Sequence, residues 1–274
     1  MPWYEHNASR LWYEEHGTGQ PLVLLHGWCM SSAVWRFQFA ELSTAYRVIA
    51  PDLAGHGRSA PSVAGYSFEG LAADVVALFR HLDLRDALLG GWSMGAQVAL
   101  AACGHLTARL AGLVLIGATP RFTAAPDFPW GLAPVEAQGM GVKLRRNAQR
   151  AREGFTTRMF APGELADPAL ADRVRALLGD VPIPEMDVAL HSLQALADAD
   201  QRPLLPHIGL PTLIVNGDQD RICLPGASDY LAQQIPFSSR QVMQGCGHAP
   251  FLTRSGEFYS RLVDFGRRVR DSNR

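Results

Sequence analysis

Short apolar segments alternate with segments of helical periodicity over much of the chain. Strands are predicted at residues 22–25, 46–50, 87–90, 112–116, 211–215 and 240–243, and residues 10–16 suit an edge strand or hairpin arm. Helices are predicted from Ser31 or Ser32 to Leu42, over residues 67–82 and 96–102, and from Ser255 into the polar tail. Continuous apolar runs are typical of strands covered on both faces, so the alternation predicts an α/β fold with a mostly parallel sheet flanked by helices.

The alternation stops at residue 118 and resumes near residue 207. Residues 119–206 begin with a stretch rich in proline and phenylalanine, continue as helical segments with many arginines, and contain no convincing strand. We therefore expect one core, formed by residues 1–118 and 207–274, with residues 119–206 inserted as a helical lid. Five apolar residues in the insertion recur at spacings of four, three, four and four and predict one helix face: Leu144, Ala148, Ala151, Phe155 and Met159.

Composition and charge narrow the classes of function. A hydrophobic content of 47% and a charged content of 19% fit a globular protein with a substantial core, and a net charge of −1 argues against general nucleic-acid binding. No apolar run requires a membrane span, and the first residues lack the pattern of a signal peptide. Four cysteines without paired spacing favour reduced thiols, so a cytoplasmic location is expected. No metal-ligand cluster and no dinucleotide-binding glycine motif is visible, so we expect no cofactor.

The pentapeptide Gly91-Trp92-Ser93-Met94-Gly95 fits the pattern G-x-S-x-G. A predicted strand precedes it and good helix-forming residues follow it, which is the context of a nucleophile elbow. In such a turn the serine is strained, and glycines at the first and last positions remove the Cβ atoms that would clash. Ser93 is therefore the predicted nucleophile, at a helix N-terminus that favours a developing negative charge.

A serine nucleophile needs a base, and the base needs an acid that orients it. His248 is the candidate base among nine histidines, because it lies in a glycine-rich loop after the last predicted strand. The acid should lie between the nucleophile and the base in sequence, where Asp218 and Asp220 both follow a strand. Asp220 is favoured because it lies further out along the loop, whereas Asp218 directly follows Gly217 and suits a turn.

The oxyanion of an acyl-transfer intermediate needs two preorganised N–H donors. We predict the amide of Met94, which follows the nucleophile, and the amide of Trp28, in the loop after the first buried strand. His26 is expected to brace that loop, and Asp52 and His56 in the next strand-end loop are interpreted as structural turn residues.

Taken together, these ordered motifs resemble the α/β-hydrolase superfamily over the whole chain. The motifs are His26-Gly27-Trp28, residues 52–59, Gly91-Trp92-Ser93-Met94-Gly95, Asp220 and His248. Within the superfamily the chain is similar to the carboxylesterases of biotin synthesis, the pimeloyl-[acyl-carrier protein] methyl ester esterases. That similarity rests on residues 24–28, 34–36, 91–93, 120–122, 128–129, 182–188 and 248–251. Met94 departs from the family pattern, in which leucine is common.

The resemblance implies a serine carboxylesterase that hydrolyses the methyl ester of a pimeloyl chain carried on acyl carrier protein. It implies Ser93, Asp220 and His248 as the catalytic triad, and an ester site lined by Trp28, Ser93 and Met94. It also implies an acyl channel under the lid, lined by Phe155, Thr156, Thr157, Arg158 and Met159. A broad short-chain carboxylesterase, a lactonase or a C–C bond hydrolase on the same triad is the alternative, and a ligand receptor without catalysis is a third interpretation.

The insertion also carries a concentration of positive charge. Residues 143–158 hold six basic side chains and one acidic side chain. An acidic carrier protein would dock on such a surface, and the candidate residues are Arg145, Arg146, Arg150 and Arg152. These lid arginines match the family only in part, and a solvated helix face is the alternative interpretation.

Overall fold

An eight-stranded sheet forms the centre of the computed structural model, which describes residues 2–63 and 65–272. The strands are β1 (Trp3–His6), β2 (Ser9–His16), β3 (Pro21–Leu25), β4 (Arg47–Pro51), β5 (Ala87–Trp92), β6 (Leu110–Ile116), β7 (Thr212–Gly217) and β8 (Ser238–Met243). Their order across the sheet is β1-β2-β4-β3-β5-β6-β7-β8. The pairs β1–β2 and β2–β4 are antiparallel and all other neighbours are parallel, which confirms the predicted mostly parallel sheet.

Helices cover the sheet and also form most of the segment between β6 and β7. They are α1 (Arg36–Leu42), α2 (Phe68–His81), α3 (Met94–Cys103), α4 (Pro134–Arg146), α5 (Ala148–Arg158), α6 (Pro168–Asp180), α7 (Met186–Asp198), α8 (Pro225–Gln234), α9 (Pro250–Thr253) and α10 (Ser255–Ser272). A 3₁₀ turn, Ser32–Trp35, precedes α1 where one continuous helix was expected. No helix in the described part of the chain is both long and apolar enough to cross a membrane.

The central strands are apolar because helices exclude water from both faces. Every residue of β5, β6 and β7 is buried. Helix α3 packs on β3, β5 and β6, and α10 packs on α1 and β6. A strand buried on both faces has no side that must be polar, so alternation is absent from its sequence.

The first strand is not predicted from the apolar pattern. It pairs with β2 through a two-residue turn at Asn7 and Ala8, whose φ angles are +47° and +61°. Two successive positive φ angles match the right-handed twist of the flanking strands, which is typical of tight hairpins. The hairpin makes β2 an internal strand of the sheet instead of its edge.

Helices α4 to α7 lie between the end of β6 and the start of β7. The expectation of one helix face running from Leu144 to Met159 is wrong, because the chain leaves the helical conformation at Asn147 (φ −163°, ψ +100°). The Asn147 side chain accepts a hydrogen bond from the amide of Arg150 at 2.9 Å and so caps α5. Asparagine favours this N-cap position over a helix interior, which explains the break.

Candidate active site

Ser93 occupies the turn between β5 and α3, with φ +56° and ψ −115°. A positive φ is uncommon for a residue with a Cβ atom and stores backbone strain. The chain crosses itself here at short range. A Cβ atom at Gly91 would lie 2.2 Å from the carbonyl oxygen of Gly95, and one at Gly95 would lie 2.3 Å from that of Leu25. The two glycines are therefore a steric requirement of the turn.

His248 and Asp220 form a fully buried pair. The Nδ1 atom of His248 lies 2.7 Å from Oδ2 of Asp220, and both side chains have zero exposure. The other carboxylate oxygen, Oδ1, accepts hydrogen bonds from the amides of Ile222 at 2.8 Å and Cys223 at 3.0 Å. These bonds fix the carboxylate. Because an ionised carboxylate can only accept, Oδ2 favours the tautomer of His248 that carries its proton on Nδ1. The buried Nε2 atom has no hydrogen-bond partner among the described residues, so it is available to accept a proton.

Asp218, the competing carboxylate, lies elsewhere in the loop. It is partly exposed, and its Oδ1 atom accepts a hydrogen bond from the amide of Cys246 at 3.3 Å. Of the two aspartates, the structure therefore places Asp220 beside His248.

The elbow and the histidine turn are in direct contact. The indole Nε1 of Trp92, the residue before Ser93, donates to the carbonyl of His248 at 2.9 Å, and the two rings lie 5.4 Å apart. The Cys223 thiol lies close enough to Ser93 for the two side chains to interact. Burial, followed by the nearby Asp220 carboxylate, raises the pKa of that thiol well above its usual value, so Cys223 stays neutral. Ser93, Asp220 and His248 thus lie in the turns and loops that follow the carboxyl ends of β5, β7 and β8.

The loop after β3 is pressed against the elbow. A Cβ atom at Gly27 would lie 3.0 Å from the Trp92 ring and 3.4 Å from the Cβ atom of Ser93. The Nδ1 atom of His26 donates to the carbonyl of Gly27 at 2.8 Å, and its Nε2 atom accepts from the amide of Leu53 at 3.0 Å. Burial lowers the pKa of His26 to about 4, so the ring is neutral at pH 7 and joins two loops.

The two predicted oxyanion donors lie at the start of α3 and in the loop after β3. Helix α3 begins at Met94, and the first amides of a helix have no acceptor within it. Trp28 is buried, and its indole Nε1 donates to the carbonyl of Ala189 in α7 at 2.9 Å. This bond ties the loop after β3 to the helical segment above it.

Asp52 connects loops, in keeping with its structural interpretation. Its carboxylate accepts from the amide of Ser32 at 2.6 Å and from that of Arg58 at 2.8 Å. His56 is buried and donates from Nδ1 to the carbonyl of Ala54 at 3.1 Å. Both side chains serve the packing of the loops.

A narrow cavity of about 150 Å³ opens beside Trp28. Its wall includes an edge-to-face contact between Trp28 and Phe155, with ring centroids 5.3 Å apart and an interplanar angle of 87°. The remaining lining residues combine apolar and basic side chains: Leu132, Met140, Lys143, Arg150, Ala151, Gly154, Arg158 and Ile222. The cavity is therefore apolar at Trp28 and carries three positive charges.

The structure divides the five consecutive residues that were expected to line one channel. Phe155 and Arg158 line the cavity beside Trp28, whereas Thr156 and Thr157 line a separate groove between α5 and α6. Met159 follows the helix and is fully buried. Successive helical residues point about 100° apart, so five in a row cannot share one wall. Sequence position alone groups residues that the helix separates.

The four docking candidates also point in different directions. Arg150 is exposed at the cavity beside Trp28, and Arg145 lines a groove between α4 and α7. Arg146 is exposed. Arg152 donates to the carbonyls of Leu178 and Val181 at the C-terminal end of α6, where it braces two helices.

Several residues in this region were not among the predicted site residues. Ile222 lines the cavity, Cys223 lies close to Ser93, and Glu164 accepts a hydrogen bond from the amide of Gly247, directly before His248. Ile222 and Cys223 follow Asp220 closely enough to be suspected, but Glu164 lies far from the motifs. All four cysteines are buried free thiols, and the described residues contain no group of three or more side chains that could hold a metal ion.

Comparison with known proteins assigns the chain to a family. A family model described as alpha/beta hydrolase fold matches residues 20–255. Pimeloyl-[acyl-carrier protein] methyl ester esterase from Nitrosospira multiformis is 31% identical over 94% of this chain and 98% of its own length. The protein of the same name from Vibrio cholerae is 32% identical over 94% of this chain and 98% of its own.

A solved structure agrees with these relatives. The esterase from Exiguobacterium antarcticum superposes with a TM-score of 0.87 at 28% identity, covering 94% of this chain and 96% of its own. The family and the esterase names support the predicted carboxylic ester hydrolase. The chain belongs to the α/β-hydrolase fold family.

Proposed function

We propose that the chain is a serine carboxylesterase in which Ser93 is the nucleophile, His248 the general base and Asp220 the acid that orients it. The observation that carries the proposal is the buried 2.7 Å contact between His248 and Asp220, formed beside a strained serine at the end of β5. A nucleophile, a base and a group that orients the base form the catalytic triad of serine hydrolases, and these residues follow the chain order Ser, Asp, His of the α/β-hydrolase fold.

The reaction would proceed through an acyl-enzyme. The Ser93 hydroxyl oxygen attacks the ester carbonyl carbon while its proton passes to Nε2 of His248, and the carbonyl oxygen becomes an oxyanion. The amides of Trp28 and Met94 stabilise that charge because they are fixed before the reaction starts. Collapse of the intermediate breaks the ester C–O bond, and His248 protonates the departing alcohol. Water, deprotonated by His248, then attacks the acyl carbon. The bond from that carbon to Oγ of Ser93 breaks, the acid leaves, and His248 returns its proton to Oγ.

The substrate we propose is the methyl ester of a pimeloyl chain carried on acyl carrier protein. The names of the relatives from Nitrosospira multiformis and Vibrio cholerae support this substrate. A cavity of about 150 Å³ beside Trp28 is smaller than the ~300–1,000 Å³ of sites for drug-sized ligands, which favours a slender acyl chain. The exposed Lys143 and Arg150 at this cavity suit an acidic carrier, whereas Arg158 already pairs with Glu136 at 2.9 Å. Products would be methanol and the free carboxylic acid on the carrier.

The test compares three substrates with the purified protein. We expect hydrolysis of p-nitrophenyl acetate, and a higher kcat/KM for the methyl ester of pimeloyl-acyl carrier protein than for the methyl ester of free pimelate. We also expect the gene to rescue a biotin auxotroph that lacks this esterase. Hydrolysis of small esters without cleavage of the carrier-bound ester would leave a general esterase. Absence of any enzyme-dependent release of p-nitrophenol would leave a ligand receptor.

A further inference from the structure

Glu164 connects the segment between α5 and α6 to the turn that carries His248. One carboxylate oxygen, Oε2, accepts from the amides of Gly247 and Ala161, each at 2.7 Å. The other, Oε1, accepts from the hydroxyl of Thr253 at 2.5 Å. Gly247 directly precedes His248 and Thr253 ends the short helix α9 that follows it, so a single carboxylate holds the chain on both sides of the histidine.

The same segment contacts the histidine itself. The amide of His248 donates to the carbonyl of Met159 at 2.6 Å. A Cβ atom at Gly247 would lie 2.2 Å from that carbonyl oxygen and 2.9 Å from the amide nitrogen of Ala161. The segment therefore lies directly against the histidine turn, and glycine at position 247 permits this approach.

The opposite side of the turn is also closed. A Cβ atom at Gly117 would lie 2.9 Å from the carbonyl oxygen of His248 and 3.1 Å from its Nδ1 atom. Trp92 donates to that same carbonyl. The elbow side of the turn is thus formed by the core, whereas its outer side depends on residues 159–164.

We propose that Glu164 is a positioning residue for the esterase reaction. It acts by fixing the Gly247–His248 backbone, so that Nε2 of His248 stays in reach of Ser93 while Asp220 holds Nδ1. Proton transfer tolerates errors of only about 0.5 Å in such an arrangement, and Gly245 and Gly247 make the turn easy to deform without an external support. The proposal rests on the proposed function, because it assigns His248 the role of base.

The Glu164 carboxylate couples the segment between α5 and α6 to the turn that carries His248. Movement of residues 159–164 away from the core would remove the acceptors of both the Gly247 and the His248 amides. The segment that covers the site therefore also holds its base in place, although Glu164 itself transfers no proton.

The test uses Glu164→Ala and Glu164→Gln in the full-length protein, with p-nitrophenyl acetate as substrate. We expect Glu164→Ala to lower kcat roughly ten- to hundred-fold, the range for groups that orient a metal-bound histidine from behind, with little change in KM. The pH dependence of kcat/KM should shift, because the base is held less firmly. Glu164→Gln should recover much of the activity, since its amide oxygen can still accept from Gly247 and Ala161.

Asp167→Ala is the matched control. Asp167 lies in the same segment between α5 and α6. Its side chain caps α6 by accepting from the amide of Ala169 at 3.0 Å, and this bond does not involve the turn that carries His248. We expect this variant to lose thermal stability but to keep kcat and the pH profile. Equal losses of kcat in Asp167→Ala and Glu164→Ala, or an unchanged pH profile in Glu164→Ala, would overturn the proposal.

A measurement that needs no substrate separates this proposal from the proposed function. The Nδ1 proton of His248, shared with Asp220, should give a far-downfield proton resonance that is absent from Asp220→Asn. In Glu164→Ala it should broaden and exchange faster with water than in Asp167→Ala. Wild-type protein without esterase activity would overturn the proposed function and, with it, the catalytic consequence of Glu164. An unchanged resonance in Glu164→Ala, in a protein that is an active esterase, would overturn the role of Glu164 alone.

Discussion

Asp220 holds His248 through a 2.7 Å contact from which water is completely excluded, since neither side chain has any exposed surface. In such surroundings the pair is neither screened by salt nor reoriented by solvent, so its geometry is set by the protein. Two backbone amides fix the second carboxylate oxygen. The aspartate therefore determines which imidazole nitrogen carries the proton.

The first prediction concerns this aspartate. Asp220→Asn should lower kcat for p-nitrophenyl acetate by on the order of 10³–10⁴-fold, because an amide can donate to Nδ1 and favour the wrong tautomer. The thermal midpoint of unfolding should fall only slightly, because the side-chain oxygen of Asn can still accept from the amides of Ile222 and Cys223. Steady-state kinetics and thermal unfolding measure the two effects.

Asp218→Asn is the control for that prediction. Among the described residues, the side chain of Asp218 accepts a single hydrogen bond, from the amide of Cys246 at 3.3 Å. We expect near wild-type kcat. A larger loss in Asp218→Asn than in Asp220→Asn would transfer the acid to Asp218.

The second prediction combines chemistry with backbone strain at Ser93. Ser93→Ala and Ser93→Gly should both lose ~10⁴-fold or more in kcat, because neither has a nucleophile. Only the glycine variant relieves the positive φ of +56°. Strain of this kind costs about 1–3 kcal/mol, offset in part by the ~0.5–1 kcal/mol entropic cost of glycine, so Ser93→Gly should be the more stable variant.

Chemical denaturation of the two variants measures that difference. Equal free energies of unfolding, or a less stable glycine variant, would mean that the turn is not strained. Retention of activity in Ser93→Ala, or labelling of a different serine by phenylmethylsulfonyl fluoride, would identify another nucleophile.

The elbow could be predicted because its determinants are local. Gly91 and Gly95 lie within two residues of Ser93, and the clashes they avoid come from the turn itself and from the adjacent strand β3. The parallel sheet is predictable for a related reason, since burial on both faces leaves apolar runs in the sequence. The fold class and the position of the nucleophile after its strand can therefore be predicted from short-range patterns.

The contacts around His248 could not be predicted in this way. Glu164 and Gly247 are 83 positions apart, and neither residue type nor spacing indicates that they meet. The break at Asn147 was missed because an apolar spacing of three and four continues across it, while one capping hydrogen bond decides the local conformation. Tertiary contacts and caps override periodicity at these positions.

The third prediction concerns stability at acid pH. The unfolded chain binds a proton at His26 below about pH 6.5, but burial holds the pKa of His26 in the folded protein at about 4. The unfolded state therefore binds more protons between these values, and the free energy of unfolding should fall as pH drops from 6.5 to 4. His26 should contribute on the order of a few kcal/mol to this fall.

His26→Asn should be less stable at pH 7 but should show a shallower decline over the same window. Thermal midpoints at half-unit pH intervals measure the slope. The exposed His105, replaced by Asn, is the matched control and should leave the slope unchanged. Parallel curves for wild type and His26→Asn would refute a buried neutral His26.

The fourth prediction concerns the cavity beside Trp28. Phe155→Ala removes the ring that packs edge-to-face on Trp28 at 5.3 Å and should widen the cavity. We expect the preference among p-nitrophenyl esters to shift toward longer or bulkier acyl chains, measured as ratios of kcat/KM. Thr157→Ala, on the groove between α5 and α6, should leave the ratios unchanged. A Phe155→Ala variant that loses stability but keeps its preference would limit Phe155 to packing.

The last prediction concerns docking of an acidic carrier protein. Lys143 and Arg150 are exposed and line the cavity beside Trp28, so they lie where a tethered acyl chain would enter. Each exposed ion pair would contribute only ~0.2–1 kcal/mol, but together they would steer the carrier and fix its orientation. Lys143→Glu combined with Arg150→Glu should therefore raise KM for the carrier-bound methyl ester, with a larger effect at low salt.

Two comparisons make that expectation specific. Hydrolysis of p-nitrophenyl acetate by the double variant should hardly change, since a small ester needs no docking surface. Arg175→Glu is the control charge reversal, because Arg175 is also exposed but lies on the groove between α5 and α6, where it pairs with Asp172 at 2.6 Å. We expect it to leave KM for the carrier-bound ester unchanged. If the double variant affected both substrates equally, or if Arg175→Glu raised KM as much, the carrier would not dock at the cavity, and Lys143 and Arg150 would serve only to solvate their helices.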